Sequence, residues 1–490
     1  MVKKKMLLIA GLVLLILAGT FTAWKLFYHR PEELLSQLEE GEVSEEHLTE
    51  ATLTFLLGGS APQAPQEVLD QVERKLKNSL NIKFKILLGD ASSEDMAYWD
   101  VLYYHNFHSD FKTLVNQGLK DITEEFQRLA PNYYRRLSPE ELKTVTQEGK
   151  IYAIPQHFFT PQMCCAIVRE DLMNKYQIPE INDFDDFENY LKTVKAKEPR
   201  LFPVIFSDNS VGLFAEANGY VILNNQLGLV YRWDDPEPKI EAWEQTQAFR
   251  QGIDILSRWY NNRYLFGPAT EIDDKMVGSG KWASFIAPLG SEISYNAILK
   301  SQNIRFRYKA YPLNSGHSSA RNPSTSMLLI NPQSKNTERI FRFINWLYSK
   351  QENYDSLMYG VKGKHYRLEG ERIKFASSDP YTWIWHDALR NIDFERYEFS
   401  SSADSQKEYR EMLENNTKFP PYTGFIPDFG PVQRTATLRQ VSLGSIETSI
   451  YHGTFSPADV DKYIREQKQA GVDQLVVEVK RQLERWKAQK

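Results

Sequence analysis

The sequence contains very little cysteine and no cluster of metal-binding residues. Its 490 residues include two cysteines, the adjacent Cys164 and Cys165 in the apolar run MCCAIV. Because neighbouring cysteines offer no disulfide framework, we interpret the pair as small buried residues of a strand. The nine histidines are scattered, without an H-E-x-x-H motif or paired C-x-x-C motifs. We therefore expect no metal site and no cofactor.

Basic blocks and common catalytic signatures are also missing. The net charge is −5 with Lys and Arg dispersed along the chain, which argues against a nucleic-acid partner. The stretch GSGKW at 278–282 resembles the end of a phosphate-binding loop, but Trp282 stands where Ser or Thr is needed. No G-x-S-x-G elbow is present. The residues thus give no positive support for an enzyme.

One long uncharged run lies near the N-terminus, from Met6 to Trp24, after three lysines. This length fits a membrane helix. A lipoprotein signal would need a cysteine where Thr20 follows Leu17, Ala18 and Gly19, and the residues for ordinary signal-peptide cleavage are poorly matched. We expect residues 1–30 to be a signal anchor or a signal peptide and favour an uncleaved anchor. The flanking lysines then place the rest of the chain outside the cell.

Beyond an acidic spacer at 31–50, the sequence alternates strand and helix patterns. ATLTFLLGG and NIKFKILLG read as strands on either side of a helix that Pro65 opens, and YWDVLYY reads as a third strand. Further on, Asp183 is a candidate helix N-cap, and Ser456 with Pro457 opens a late helix that Gly471 ends. This alternation predicts an α/β fold with mixed or parallel sheets. Open α/β sheets bind ligands at the carboxyl ends of their strands.

Aromatic residues are abundant, at 13% of the chain with 10 Trp and 26 Tyr. Flat rings can stack on the C–H faces of sugars, while Tyr hydroxyls and Trp N–H groups reach sugar hydroxyls. The alternative is that most of these rings fill hydrophobic cores. Trp383 and Trp385 alternate in YTWIWHD as they would on one face of a strand. This pattern modestly favours a role for both at a ligand cleft.

Four stretches carry a resemblance to a known family: GKIYAIPQHF at 149–158, the segment that begins AIVREDLMNKYQ at 166, the segment that begins SMLLINPQSKNTERIF at 326, and TGFIPDFGPV at 423–432 with the C-terminal helices. Together they resemble the extracellular solute-binding proteins of bacterial ABC importers, in the oligosaccharide-binding branch and its Gram-positive lipoprotein-type subgroup. Two features depart from the subgroup: the lipid-bearing cysteine is missing, and Trp383–Asp387 replaces a W-x-x-G-N pattern.

The resemblance implies a two-lobed fold of the periplasmic-binding-protein type II class, with the ligand between the lobes. We expect lobe 1 to comprise 51–156 with 317–362, and lobe 2 to comprise 157–316 with 363–490. The crossovers between lobes would lie near Gln156 and near 315–321.

The resemblance also implies a function and a site. The chain would be a membrane-tethered extracellular receptor that captures an oligosaccharide or related carbohydrate for ABC permease subunits, and we expect a monomer. The predicted ligand contacts are Ser60, His105, Asn106 and Gln156 on the first-lobe side, and Trp282, Trp383, Trp385 and Phe425 on the second. Two alternatives stay open: a ligand-sensing surface protein coupled to a signalling partner, and a surface carbohydrate-active enzyme.

Overall fold

The computed structural model divides the chain into two compact units, 1–50 and 51–490. It describes residues 48–58, 65–89, 98–105, 111–206, 210–224, 227–235, 237–265, 272–314, 319–376, 383–398, 403–451 and 453–488. All elements below belong to the second unit. Among the described residues, no helix combines the length and apolar character that crossing a membrane requires. The predicted anchor at 6–24 lies outside them.

The first part of the unit alternates strands and helices, as the sequence predicts. The strands are β1 (Ala51–Leu57), β2 (Ile82–Leu88), β3 (Val101–His105), β4 (Thr146–Gln147), β5 (Lys150–Ile151) and β6 (Ile154–Pro155). The helices are α1 (Pro65–Leu76), α2 (Phe111–Asn116), α3 (Thr123–Leu129), α4 (Pro131–Tyr134) and α5 (Pro139–Val145). Strand β1 pairs in parallel with both β2 and β3, which confirms the predicted β-α-β start.

The middle of the chain contributes strands β7 (Phe159–Gln162), β8 (Cys164–Arg169), β9 (Ile205–Phe206), β10 (Tyr220–Asn224), β11 (Leu229–Arg232), β12 (Glu241–Ala242), β13 (Ser284–Pro288), β14 (Tyr308–Pro312), β15 (Ser319–Pro323) and β16 (Ser326–Ile330). Its helices are α6 (Glu170–Tyr176), α7 (Phe184–Lys197), α8 (Ser210–Ala217), α9 (Gln247–Asn261), α10 (Asp274–Gly278) and α11 (Ser291–Ser301). A 3-10 helix covers Trp243–Gln245. Asp183 caps α7 as predicted, because its carboxylate accepts hydrogen bonds from the amides of Asp185 and Asp186.

The last part contains strands β17 (Tyr366–Glu369), β18 (Arg372–Phe375) and β19 (Thr417–Lys418). Its helices are α12 (Thr337–Leu347), α13 (Gln351–Met358), α14 (Trp383–Leu389), α15 (Ala403–Asn416), α16 (Gln433–Tyr451), α17 (Pro457–Gln469) and α18 (Val472–Ala488), with a 3-10 helix at Gly430–Val432. The strand predicted around Trp383 and Trp385 is wrong, since both residues belong to α14. A short apolar run does not by its periodicity separate a buried helix from a strand.

Two mixed sheets form the centres of two α/β lobes. The first has the order β2-β1-β3-β16-β6, with β16 antiparallel to its neighbours. The second has the order β14-β8-β13-β9. Strand β8 is buried on both faces, because Cys164 packs in one core and Cys165 in another. This confirms the interpretation of the two cysteines as small buried residues of a strand.

A third small sheet, β19-β15-β7, lies where the chain passes between the two main sheets. Strand β7 connects β6 of the first sheet to β8 of the second, and β15 connects β14 to β16. The two connecting strands pair antiparallel, from Ala320 with Gln162 to Pro323 with Phe159. We call this small sheet the hinge sheet. It lies close in sequence to the crossovers that the resemblance implies, near Gln156 and near 315–321, and residues 315–318 lie outside the described part.

The hydrophobic cores show which segments pack with each main sheet, and one of them differs from the lobe boundaries expected from the sequence. The first core joins residues of the first sheet to α12 and α13, and it also takes in Tyr366, Ile373, Trp385 and Leu389. The sequence-based boundaries give these last four to lobe 2. A separate core joins β10–β12 to α16 and α18 through Val221, Leu229, Ala436, Leu475 and Val479. The C-terminal helices thus pack on the second-lobe side of the hinge sheet.

Candidate functional site

The carboxyl ends of three strands of the first sheet meet at one edge. β1 ends at Leu57, β3 at His105 and β6 at Pro155, while the antiparallel β16 begins at the same edge and pairs Ser326 with His105. The carbonyl oxygen of Ser326 accepts a hydrogen bond from the main-chain N–H of Gln156. This edge is where an open α/β sheet positions ligand-binding groups.

Gln156 is at the centre of this edge, but its side chain is occupied within the protein. Its Oε1 accepts a hydrogen bond from Ser324 Oγ at 2.6 Å, and its Nε2 donates to the main-chain oxygen of Asp387 at 3.2 Å. The residue is 5% exposed. Since both ends of the amide have partners, Gln156 positions the loop of Ser324 and the end of α14 relative to each other.

His105 and Tyr103 extend the same edge. Thr325 is exposed, and its hydroxyl lies 3.1 Å from His105 Nε2, while Tyr103 Oη lies 3.1 Å from Ser326 Oγ. Burial lowers the pKa of His105 and outweighs the opposing effect of Asp387. The imidazole is therefore neutral at pH 7, with one ring nitrogen able to accept a hydrogen bond.

Asp387 completes the edge and is a residue that the sequence reasoning did not select. It lies on α14, its side chain is exposed, and its charge acts on both Tyr103 and His105. The signal that could have identified it is a carboxylate two positions after the apolar run Trp383–Trp385. We refer below to Tyr103, His105, Gln156, Ser324, Thr325, Ser326 and Asp387 together as the polar edge.

Three of the aromatic residues predicted as ligand contacts lie in hydrophobic cores instead. Trp385 is 0% exposed and its ring centroid lies 5.4 Å from that of Phe55. Trp282 is buried, and its ring centroid lies 4.8 Å from that of Phe202. Phe425 is buried and packs against the ring of Trp486. A ring enclosed by other side chains has no free face for a sugar. The ligand-stacking role that the sequence predicts for these three rings therefore has no support in this conformation.

The remaining predicted contacts divide between the edge and the part of the chain that is not described. His105 and Gln156 both belong to the polar edge. Ser60, three positions after the end of β1, and Asn106, directly after the end of β3, lie outside the described residues. Trp383 belongs to α14, but its side chain lies outside the described part.

A cavity of about 380 Å³ opens between the two lobes beside the hinge sheet. Tyr359 and Ile392 line it from the first lobe, Gly290 and Tyr409 from the second, and Phe158 from the crossover. Three charged groups on its wall pair with one another, since Arg390 and Arg410 both approach Glu395. Among the described residues, no group of three or more His, Cys, Asp or Glu side chains could hold a metal ion.

Comparison with protein-family models gives two matches. Residues 83–354 match the model of the bacterial extracellular solute-binding proteins. Residues 421–488, which include α16–α18, match a domain of unknown function. The first match alone spans more than half of the chain.

Individual relatives agree with the family match. A carbohydrate ABC transporter substrate-binding protein of Streptococcus pneumoniae serotype 4 is 22% identical over an alignment of 415 residues, and the match covers 81% of each chain. The crystal structure of an N-glycan transport solute-binding protein from Streptococcus pneumoniae has a TM-score of 0.75 and 18% identity, covering 89% of this chain and 99% of that one. A solute-binding protein of Bifidobacterium longum infantis, described as HMO-binding and ABC-transporter-associated, has a TM-score of 0.63 and 15% identity, covering 89% and 99%. These structures share the two-lobed α/β fold.

Proposed function

This chain belongs to the bacterial extracellular solute-binding proteins, and we propose that it captures an oligosaccharide between its two lobes and delivers it to the permease of an ABC importer. The observation that carries the proposal is the polar edge: hydroxyl, imidazole and carboxylate groups converge at the carboxyl ends of β3 and β6, directly beside the hinge sheet. The names of the relatives, which refer to carbohydrate and N-glycan transport, support the same ligand class.

The side chains at the edge suit a sugar. A sugar hydroxyl donates one hydrogen bond and accepts others, so its recognition needs both kinds of partner. The Thr325 hydroxyl and the Tyr103 phenol can donate or accept, the neutral His105 ring can accept at one nitrogen, and Asp387 accepts at two oxygens. Because the Gln156 amide is already satisfied within the protein, we assign it a positioning role.

Capture would follow from closure of the lobes about the hinge sheet. A ligand favours the closed arrangement only through contacts that the open one lacks, so it must touch both lobes. We propose lobe 1 as 51–156 with 317–362 and lobe 2 as 157–316 with 363–490, with one change. Tyr366, Ile373, Trp385, Leu389 and Phe394 pack in the first core, so we assign the described residues 366–376 and 383–394 to lobe 1.

We further propose that residues 6–24 hold the protein at the cell membrane without cleavage, on its extracellular face, and that it acts as a monomer. Extraction of the full-length protein should then require detergent, and its N-terminus should remain Met1 or Val2. A mature N-terminus within 21–25 would contradict the anchor and leave the binding function in place.

A glycan panel tests the binding proposal. We expect the thermal midpoint of the full-length chain in mild detergent to rise with at least one oligosaccharide. Thr325→Val removes an exposed hydroxyl of the polar edge and should reduce the rise. Thr437→Val removes an exposed hydroxyl on α16, distant in sequence from the edge, and should not. No rise across a broad panel would contradict the proposed function.

A further inference from the structure

Closure of the lobes needs a ligand contact on the second lobe, and the polar edge lies on the first. Two aromatic residues that the sequence offers on the second lobe, Trp282 and Phe425, are enclosed in cores. The cavity beside the hinge sheet is lined by both lobes, with Tyr359 and Ile392 on the first and Tyr409 on the second. A ligand in this cavity can therefore contact both lobes at once, as closure requires.

Tyr409 of α15 has a well-defined place on the wall of this cavity. Its ring packs against the second-lobe core that contains Phe285 and Tyr295. It also lies against the turn between β13 and α11, where Gly290 has a φ of +99°. A Cβ added to Gly290 would lie 3.1 Å from the ring of Tyr409, which is closer than ordinary van der Waals contact. The glycine thus gives the turn its backbone conformation and gives the ring its space.

The hydroxyl of Tyr409 makes no hydrogen bond to any residue that the structure describes. Burial raises the pKa of Tyr409 to about 12, so the phenol keeps its proton at pH 7 and can both donate and accept. The side chain is half-buried and lines the cavity. Since half-buried polar groups normally have a partner, this hydroxyl is available to a ligand.

The size and charge of the cavity suit a small uncharged group. Its volume of about 380 Å³ is near the lower end of the range for small-molecule sites, roughly 300–1,000 Å³. Apolar wall positions include Phe158, Ile293 and Ile392. Among the described residues, three arginines and three carboxylates balance one another on the wall or in an ion pair with it: Arg390, Arg396, Arg410, Asp355, Glu395 and Glu398.

We propose that this cavity is the subsite for one uncharged sugar unit of the oligosaccharide, and that the hydroxyl of Tyr409 is its second-lobe contact. The inference rests on the proposed function. The phenol hydrogen-bonds a hydroxyl of the sugar unit, and the apolar wall packs against its C–H surface. The same unit contacts Tyr359 and Ile392 of the first lobe, so its binding favours closure.

Tyr409→Phe removes the hydroxyl and keeps the ring beside Gly290. Affinity is measured by calorimetry on the full-length chain in mild detergent, with neutral cello-, malto-, manno- and galacto-oligosaccharides of two to five units as probes. We expect the variant to bind about three- to tenfold more weakly than the wild type, as for the loss of one neutral hydrogen bond. The thermal midpoint without ligand should not change, because the hydroxyl has no partner among the described residues. Tyr260→Phe, at an exposed position of α9, should leave affinity unchanged.

A second pair of variants tests the cavity itself. Ser294 of α11 is exposed at the cavity wall, and Ser294→Trp fills the space with an indole ring. Affinity for the same probes should fall about tenfold or more, because the site loses the room for a sugar unit. Ala297→Trp adds the same ring at an exposed position of the same helix that does not line the cavity, and should leave affinity unchanged.

The outcomes separate the inference from the proposed function. Unchanged affinity in either Tyr409→Phe or Ser294→Trp would overturn the inference and leave the sugar-binding function standing. An equal loss in Tyr260→Phe or Ala297→Trp would also overturn it, because the effect would not then be specific to the cavity. Failure of the wild-type chain to bind any probe would contradict the proposed function, and the inference with it.

Discussion

At the scale of single residues, a buried histidine lies between Gln156 and the hinge sheet. His157 follows the polar edge directly, and its Nδ1 lies 2.8 Å from Glu141 and its Nε2 3.6 Å from Asp393. Burial by itself would lower the pKa of His157, but hydrogen bonds to Asp393 and Glu141 outweigh it and raise the pKa to about 9. The charged imidazole thus joins α5 to the segment that follows α14.

His157→Gln should destabilise the protein by about 3 kcal/mol at pH 7, because it leaves the fully buried Glu141 without its cation. The His157 pKa is raised on folding, so its contribution is complete below about pH 6.5 and is lost as the pH rises through about 9. Urea unfolding at pH 6 and pH 10 measures this. The difference in the free energy of unfolding between wild type and His157→Gln should be smaller at pH 10 than at pH 6. As a control, Arg342→Gln breaks an exposed ion pair and should lower the free energy of unfolding by about 0.5 kcal/mol or less at both pH values.

Glu216 on α8 differs from His157, because its surroundings in the folded protein disfavour the charged form of its side chain. The residue as a whole keeps some exposed surface, but its Oε2 is enclosed and has no hydrogen-bond partner among the described residues. Burial raises the pKa of Glu216 to about 8. The unfolded chain ionises near pH 4.5, so wild-type stability falls as the pH rises from there to about 8.

Glu216→Gln removes this cost and should stabilise the protein by about 2 kcal/mol at pH 8, with little gain at pH 4. Thermal or urea midpoints at the two pH values provide the measurement. A gain of the same size at both would show that side-chain packing, rather than ionisation, limits stability at this position.

At the scale of elements, one buried arginine attaches the C-terminal helices to the second-lobe side. Arg439 of α16 is fully buried; it pairs with Glu244 at 2.8 Å, and it donates to Gln467 Oε1 of α17 and to the carbonyl of Leu227. Every polar group in this contact has a partner, which is what a buried ion pair needs in order to be tolerated. It connects the consecutive helices α16 and α17 to Glu244 and Leu227, which lie far earlier in the chain.

Arg439→Leu should therefore destabilise the protein by about 3–5 kcal/mol, since it leaves Glu244 buried and unpaired. The double variant Arg439→Leu with Glu244→Leu should recover most of that loss, because no charge stays buried. Arg434→Leu, at an exposed position of the same helix, should change stability by about 0.5 kcal/mol or less. The measurement is urea unfolding, and a double variant no more stable than Arg439→Leu would contradict the argument.

At the scale of the whole molecule, the proposed closure of the lobes about the hinge sheet would couple ligand binding to a change of shape. A ligand that binds the folded chain at 100 times its dissociation constant should stabilise it by about 2.7 kcal/mol. If it acts by closing the lobes, small-angle scattering should also show a smaller radius of gyration with ligand than without. Stabilisation with an unchanged radius would indicate binding to one lobe and would contradict closure.

The sequence alone determined the α/β alternation, because strand and helix periodicities and caps such as Asp183 act within a few residues. It also determined two members of the polar edge, His105 and Gln156, since each follows a recognisable strand end. The resemblance to the family, and the fold that it implied, came from motifs spread over most of the chain.

Only the tertiary structure decided which aromatic rings are enclosed and which polar groups meet. Trp385 and Asp387 are two residues apart on one helix, yet one is fully buried against Phe55 and the other is exposed beside Gln156. No local pattern separates them, because their environments are built by strands more than 200 positions earlier in the chain. The chemistry of the site depends on such long-range contacts, while the secondary structure depends on near neighbours.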